Sequence, residues 1–255
     1  MLKALDKFGT WLIAATILLG FILGAIPIIA VELGKLPVLL GLVPDPSSAE
    51  VRCVTRDNKD YRYADLSGCD FSYRDLSGAV FEESIALGAN FTGANLSGSQ
   101  WDNAKVDSAQ FINAQLINAR FNGVSAIGAN LLGVKAKGLT AVSANFESAN
   151  MSRGDFSSCN CVGVRLGADL TDAIFTGADL NAARFPGCCD VPGAERADFT
   201  GANLQGGYAV GTNFKYAVFT GANMKLFNDF LANTCYVTYV TGEKMTPLYP
   251  TQCTP

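Results

Sequence analysis

Ala89-Asn90-Phe91-Thr92-Gly93-Ala94-Asn95-Leu96-Ser97-Gly98 is two copies of one five-residue phrase. In each copy a small residue, an asparagine and a large apolar residue precede a hydroxyl side chain and a glycine. Counting backwards from Phe91 by fives gives Ala86, Phe81, Leu76, Phe71 and Leu66. Counting forwards gives Leu96, Trp101, Val106, Phe111, Leu116, Phe121, Ala126, Leu131, Ala136, Ala141, Phe146, Met151, Phe156, Cys161 and Leu166, with no polar interruption. A period of five fits neither the 3.6 of a helix nor the 2 of a strand. Self-similarity at a short fixed period marks a solenoid. The geometry that satisfies it is a coil with a corner every five residues. At each corner the large centre and the small residue two before it point inward, and the other three face out.

The frame slips by one residue after Leu166 and resumes as Leu170, Phe175, Leu180 and Phe185. A short insertion, 186–196, breaks it again before Phe199, Leu204, Ala209, Phe214, Phe219 and Met224. Asp or Asn often precedes the centre, as at Asp65, Asn90, Asn130 and Asp179, and these residues brace tight turns. Where the centre shrinks to Ala126, Ala136 or Ala141, the preceding inward residue grows to Val124, Val134 or Leu139, which conserves core volume. Arg74 falls on an inward position that a buried cation would not accept cheaply, so the first coil is expected to open there.

The copies Ala89–Gly93, Ala94–Gly98, Ala178-Asp179-Leu180 and Ala202-Asn203-Leu204 resemble the pentapeptide-repeat family, whose motif is Ala-Asp/Asn-Leu/Phe-x-x. The resemblance covers roughly 64–226. It implies an all-β solenoid, a right-handed quadrilateral β-helix with four pentapeptides per turn. At ~4.8 Å per rung, about eight coils make a rod roughly 35–40 Å long. The expected organisation is a transmembrane segment over 1–33, a linker and cap over 34–63, the β-helix over 64–226 and a capping tail over 227–255.

Histidine is absent, which removes Ser-His-Asp and Cys-His catalysis and every His metal ligand. The net charge of −4, from 19 Lys+Arg and 23 Asp+Glu, shows no basic patch for nucleic acid. Glu82-Glu83 and the repeat aspartates sit at turn positions without a convergent base or nucleophile. The sequence therefore points away from an enzyme and from a resident metal.

The run Phe8–Val31 carries no charge, and a helix of that length spans a ~30 Å hydrocarbon core. It exceeds the ~7–15 apolar residues of a secretory signal, so an uncleaved single-pass anchor is expected. Lys3 and Lys7 place the N-terminus in the cytoplasm or stroma and the repeats in a lumen or periplasm. Thr16, Gly20 and Gly24 form a small-residue stripe on which another helix can dock. This helix is also where pigment or lipid would be touched; the repeats themselves are expected to bind no cofactor.

Two further sets of residues stand out. Ile112, Ile117, Ile127, Leu132 and Val142 replace the usual polar residue after the centre, and exposed apolar residues of this kind mark docking surfaces. Residues 20 apart stack on one face, so Ile112 and Leu132 are expected to be neighbours, with Ile127 on the adjacent face. The cysteines are the second set. Cys159 and Cys161 fall on inward positions and read as small core hydrophobes. Cys53 with Cys69, and Cys235 with Cys253, flank the two ends and suit disulfides in an oxidising compartment. Together these features suggest a scaffold subunit docked on a membrane protein complex, in contact with lipid. The abundance of proteins resembling this one in cyanobacteria and plastids suggests a photosystem or antenna complex in the thylakoid. A membrane-tethered assembly or regulatory factor is the alternative. A topoisomerase inhibitor that mimics DNA is remote, because such rods are strongly acidic.

Overall fold

The structure is a computed structural model, and it describes residues 53–54, 56–185, 193–229, 232 and 237–238. The chain divides into Met1–Val51 and Arg52–Pro255, and every described residue belongs to the second unit. The anchor Phe8–Val31 lies outside the described residues, as do Thr16, Gly20 and Gly24. Among the described residues no helix is long and apolar enough to cross a membrane.

The described chain winds into a four-sided coil of parallel rungs. The first face runs from Asp60 to Val80, Gln100, Arg120 and Thr140; the second from Asp65 to Ile85 and Lys105; the third from Asp70 to Asn90 and Gln110; the fourth from Asp75 to Asn95 and Gln115. Each step is one coil of 80 − 60 = 20 residues. The N–H of each centre donates to a carbonyl on the next coil, as from Phe91 to Gln110 at 2.7 Å and from Leu96 to Gln115 at 2.7 Å. The corners close with a bond three residues long, such as Ala94 N–H to the Phe91 carbonyl at 3.0 Å. The second residue of each corner has positive φ, as in a type II turn, which is where the glycines recur. Gly93 has a second reason: a Cβ there would come within 2.6 Å of the Tyr73 ring, which lies across it.

The Asp or Asn before each centre acts as expected of its chemistry. Its carboxylate or amide oxygen accepts from the N–H two residues on, from Ser67 to Asp65 at 3.0 Å and from Thr92 to Asn90 at 3.0 Å. Stacked copies also bond to each other: Asn90 donates to Asp70 at 3.1 Å and Asn95 to Asp75 at 3.1 Å.

Inside, the centres form columns. Tyr61, Phe81 and Trp101 stack in order with centroids 4.8 and 3.9 Å apart, and Phe71, Phe91 and Phe111 stack on the opposite face at 5.3 and 5.1 Å. The two columns meet edge to face, Phe91 against Trp101 at 5.2 Å. Such pairs add ~0.5–1.5 kcal/mol to simple burial. The buried Trp101 indole donates to Ser99 at 2.7 Å, and Ser99 donates to the Leu96 carbonyl at 2.7 Å, so a serine replaces alanine where the indole needs a partner. Farther along, the aromatic column moves to the fourth face as Phe156, Phe175, Phe199 and Phe219. Between the two aromatic blocks Ala126, Ala136 and Ala141 lie buried with Val124, Val134 and Leu139, each pair sharing the core.

Several boundaries differ from the sequence reading. The ladder begins one unit earlier, because Tyr61 is fully buried and Asp60 already pairs with Val80. A tyrosine preceded by charged residues hides that unit. After the slip at Gly167 the spacing becomes 169 − 150 = 19, and after the insertion 198 − 174 = 24. The coil resumes at Gly193–Ala194, where Ala194 is buried and its N–H donates to the Asn213 carbonyl at 2.7 Å. The break is thus shorter than 186–196. At the far end Tyr208 pairs with Asn228 and Val218 with Thr238, so the ladder enters the segment expected to be tail. Arg74 does not open the first coil: its N–H still closes the corner to Phe71 at 3.3 Å while its side chain is exposed. A long flexible stem lets the guanidinium leave an inward position without breaking the turn.

We expect Trp101→Ala to lower unfolding free energy by roughly 3–5 kcal/mol, since it removes a buried aromatic and the indole hydrogen bond to Ser99. Outward Lys135→Ala should change it by less than about 0.5 kcal/mol. Urea denaturation followed by circular dichroism compares the two.

Candidate functional site

Outward residues on one face stack coil over coil, so the coil decides which ones meet. Ile112 and Leu132 do: both lie on the third face, and the Asn113 N–H donates to the Leu132 carbonyl at 2.9 Å. The other three do not join them. Ile117 lies on the fourth face beside Lys137, Ile127 on the second between Asp107 and Glu147, and Val142 on the first between Asn122 and Val162. Five residues along the chain is one corner, so apolar residues clustered in sequence are spread around the rod. Only Ile127 of the five is exposed; the rest are half-buried.

A different apolar pair was missed. Ile85 and Leu87 share one rung of the second face and are 39 % and 42 % exposed, on the same face as Ile127 at 41 %. Asp107 separates Leu87 from Ile127 and accepts from Ser125 at 2.6 Å and from the Ile127 N–H at 2.8 Å. The signal was available in sequence, since Ile85 takes a place where Asp or Asn usually stands. Exposed tyrosines, Tyr63 and Tyr73, stand on corners of the first coil.

The cysteines separate by position. Cys53 and Cys69 are joined by a disulfide with Cα atoms 5.1 Å apart, tying the segment before the ladder to an inward position of the first coil. Cys159 and Cys161 are both buried, as their positions require, but the structure joins them to each other, where two separate thiols were expected. Inward residues two apart share one rung and point to the same side of it, which brings the sulfurs together. Cys235 and Cys253 lie outside the described residues. Among the described residues no group of three or more His, Cys, Asp or Glu side chains could hold a metal.

Some charges on the rod are paired, within a coil or across neighbouring coils. Arg196 donates to Asp172 at 2.6 Å, and its hydrogen bond holds that carboxyl below the usual range. Arg120 forms an ion pair with Asp102 on the neighbouring coil. Hydrogen bonds from Arg62 lower Asp60 to about 2. A groove of about 690 Å³ opens along the second face, lined by Glu147, Arg165, Arg184, Phe185 and Tyr208 with the small residues Gly167, Ala182 and Gly206.

The observation that decides the family is the repeat itself. Eight copies of the family model described as pentapeptide repeats match residues 64–100, 102–138, 144–189 and 195–228. The chain belongs to the pentapeptide-repeat family. Members of this family form right-handed quadrilateral β-helices, and the fold here is of that kind. Among solved structures it is similar to trypsin-treated QnrB1, a plasmid-mediated fluoroquinolone resistance protein, at 18 % identity over 69 % of this chain and 91 % of that one, with a TM-score of 0.53. It also matches HetL from the cyanobacterium Nostoc, a protein involved in heterocyst differentiation regulation, at 19 % identity over 68 % and 90 %, with a TM-score of 0.35. A pentapeptide-repeat protein from the Arabidopsis thaliana thylakoid lumen matches at 28 % identity over 52 % and 74 %, with a TM-score of 0.20. No curated protein sequence matches. At 18 % identity the likeness to QnrB1 is one of fold.

One carboxyl near the far end is out of keeping with the rest. Asp229 stands at a centre position, and burial raises its pKa above the ordinary carboxylate value. A raised carboxyl opposes folding once ionised, and that cost disappears as pH falls through the folded pKa and then the unfolded one. Asp229→Asn should therefore raise the melting temperature at pH 7, and the gain should fade below about pH 4. Thermal melts of both proteins across pH 3–8 check this.

Proposed function

We propose that this protein is a non-catalytic scaffold subunit docked onto a membrane protein complex. The carrying observation is how the coil sorts its residues. The fully buried residues are apolar or aromatic except Ser84, Ser99, Ser152 and Thr212 among the described residues, and most other polar side chains are laid out in outward rows at fixed spacing. Such rows suit recognition of another surface and assemble no nucleophile, base and oxyanion donor at one point. The exposed Ile85 and Leu87 favour a protein partner. The uncharged run Phe8–Val31 favours attachment to a membrane, with Gly20 and Gly24 on the docking stripe. The Cys53–Cys69 disulfide favours an oxidising compartment for the repeats, in keeping with a cytoplasmic or stromal N-terminus. A photosynthetic complex of the thylakoid is the specific assignment, and it rests on where proteins of this family abound.

Native membranes solubilised in mild detergent and run on a native gel test this. The chain should co-migrate with a large pigment–protein complex. Leu87→Asp or Gly20→Ile should release it. Migration alone at low mass would overturn the subunit reading in favour of a transient assembly factor. A second measurement addresses the compartment: thiol alkylation of intact membranes should leave Cys53 and Cys69 unlabelled until a reductant is added. Labelling without reductant would place the repeats in a reducing space.

A further inference from the structure

We infer that the groove along the second face is a binding site for a small oxyanion, a phosphate or a carboxylate group. Its wall is a column on three successive coils: Arg165 pairs in the ladder with Arg184, and Arg184 with Tyr208. Rungs in a ladder lie about 4.8 Å apart. Like charges directly opposite one another destabilise a ladder unless something neutralises them.

Three outward arginines elsewhere on the rod are held by a carboxylate: Arg62 by Asp60, Arg120 by Asp102 and Arg196 by Asp172. Arg153 makes no direct pair but lies close enough to Asp172 to help lower that carboxyl. Arg165 has only Glu147 at 3.8 Å, with both side chains about half exposed, which is a weak contact. Among the described residues the Arg184 guanidinium has no carboxylate and no hydrogen-bond partner. Arg184 lines a concave stretch together with the small residues Gly167, Ala182 and Gly206 and the buried Phe185.

The chemistry of the wall names the ligand class. Two guanidinium forks one rung apart present planar N–H pairs that match carboxylate and phosphate oxygens. Tyr208, 51 % exposed, adds a phenolic donor on the third rung. An oxyanion seated there would neutralise the Arg165–Arg184 repulsion and supply the partner that Arg184 lacks.

Titration calorimetry of the full chain in detergent at low ionic strength tests the site, with inorganic phosphate and citrate as separate probes. Saturable binding of either is expected, and the preferred probe tells a phosphoryl ligand from a carboxylate one. Arg184→Gln should weaken it at least tenfold and Tyr208→Phe about threefold, with circular dichroism unchanged. Glu147→Gln, which releases Arg165 from its weak pair, should tighten it. Lys135→Gln, on the fourth face, should leave it unchanged. The inference is overturned if neither anion saturates, or if Arg184→Gln and Lys135→Gln weaken binding equally, which is screening of net charge.

Discussion

The hydrogen bonds between successive coils set every other feature of this protein. Phe81 N–H reaches the Gln100 carbonyl at 2.6 Å, Trp101 reaches Arg120 at 2.7 Å, and the pattern repeats around all four faces. Because each centre is bonded one coil onward, its side chain must lie against the side chain of the next centre. Identity at a twenty-residue spacing then becomes contact. That is why phenylalanines stack into columns and why asparagine amides bond to one another along the outside.

The same constraint explains how the rod absorbs irregularity. A loss of one residue at Gly167 and a gain over 186–192 change the spacing from 20 to 19 and then to 24, yet the rungs on either side remain paired. The corners take up the change because the ladder bonds need only the rungs in register. What does change is the outer surface. Gly167, Ala182 and Gly206 carry at most a methyl group, and they help line the groove. The core makes a matching adjustment, since the aromatic block passes from the first and third faces to the fourth across a stretch of alanine centres.

The outward surface follows a different logic from the core. Arg120 and Arg196 reach a carboxylate on a neighbouring coil, and these pairs are exposed, so each contributes little to stability. Their interest lies in the pattern they set. Against it, Arg184 without a described partner and the exposed Ile85–Leu87 pair are departures that a partner or ligand would complete.

Most of the fold was legible in the sequence because one inward residue in five is a local rule that composition alone displays. The centres from Leu66 to Leu166, the slip after it and the volume exchange at Val124, Val134 and Leu139 could all be read without coordinates. Tyr61 and Ala194 escaped because a polar-tipped or small centre does not stand out from its neighbours. The site was less legible. Ile112, Ile117, Ile127, Leu132 and Val142 look like one cluster along the chain, but five residues turn a corner and twenty return to the same face. Neighbours on the surface are therefore decided by closure of the coil, a non-local property. The sequence by itself determined a five-residue solenoid with an apolar interior and no histidine chemistry. Only the tertiary structure decided which outward residues meet across the slip and the insertion, where the twenty-residue spacing fails and backbone bonds place Arg165 beside Arg184 and Arg184 beside Tyr208.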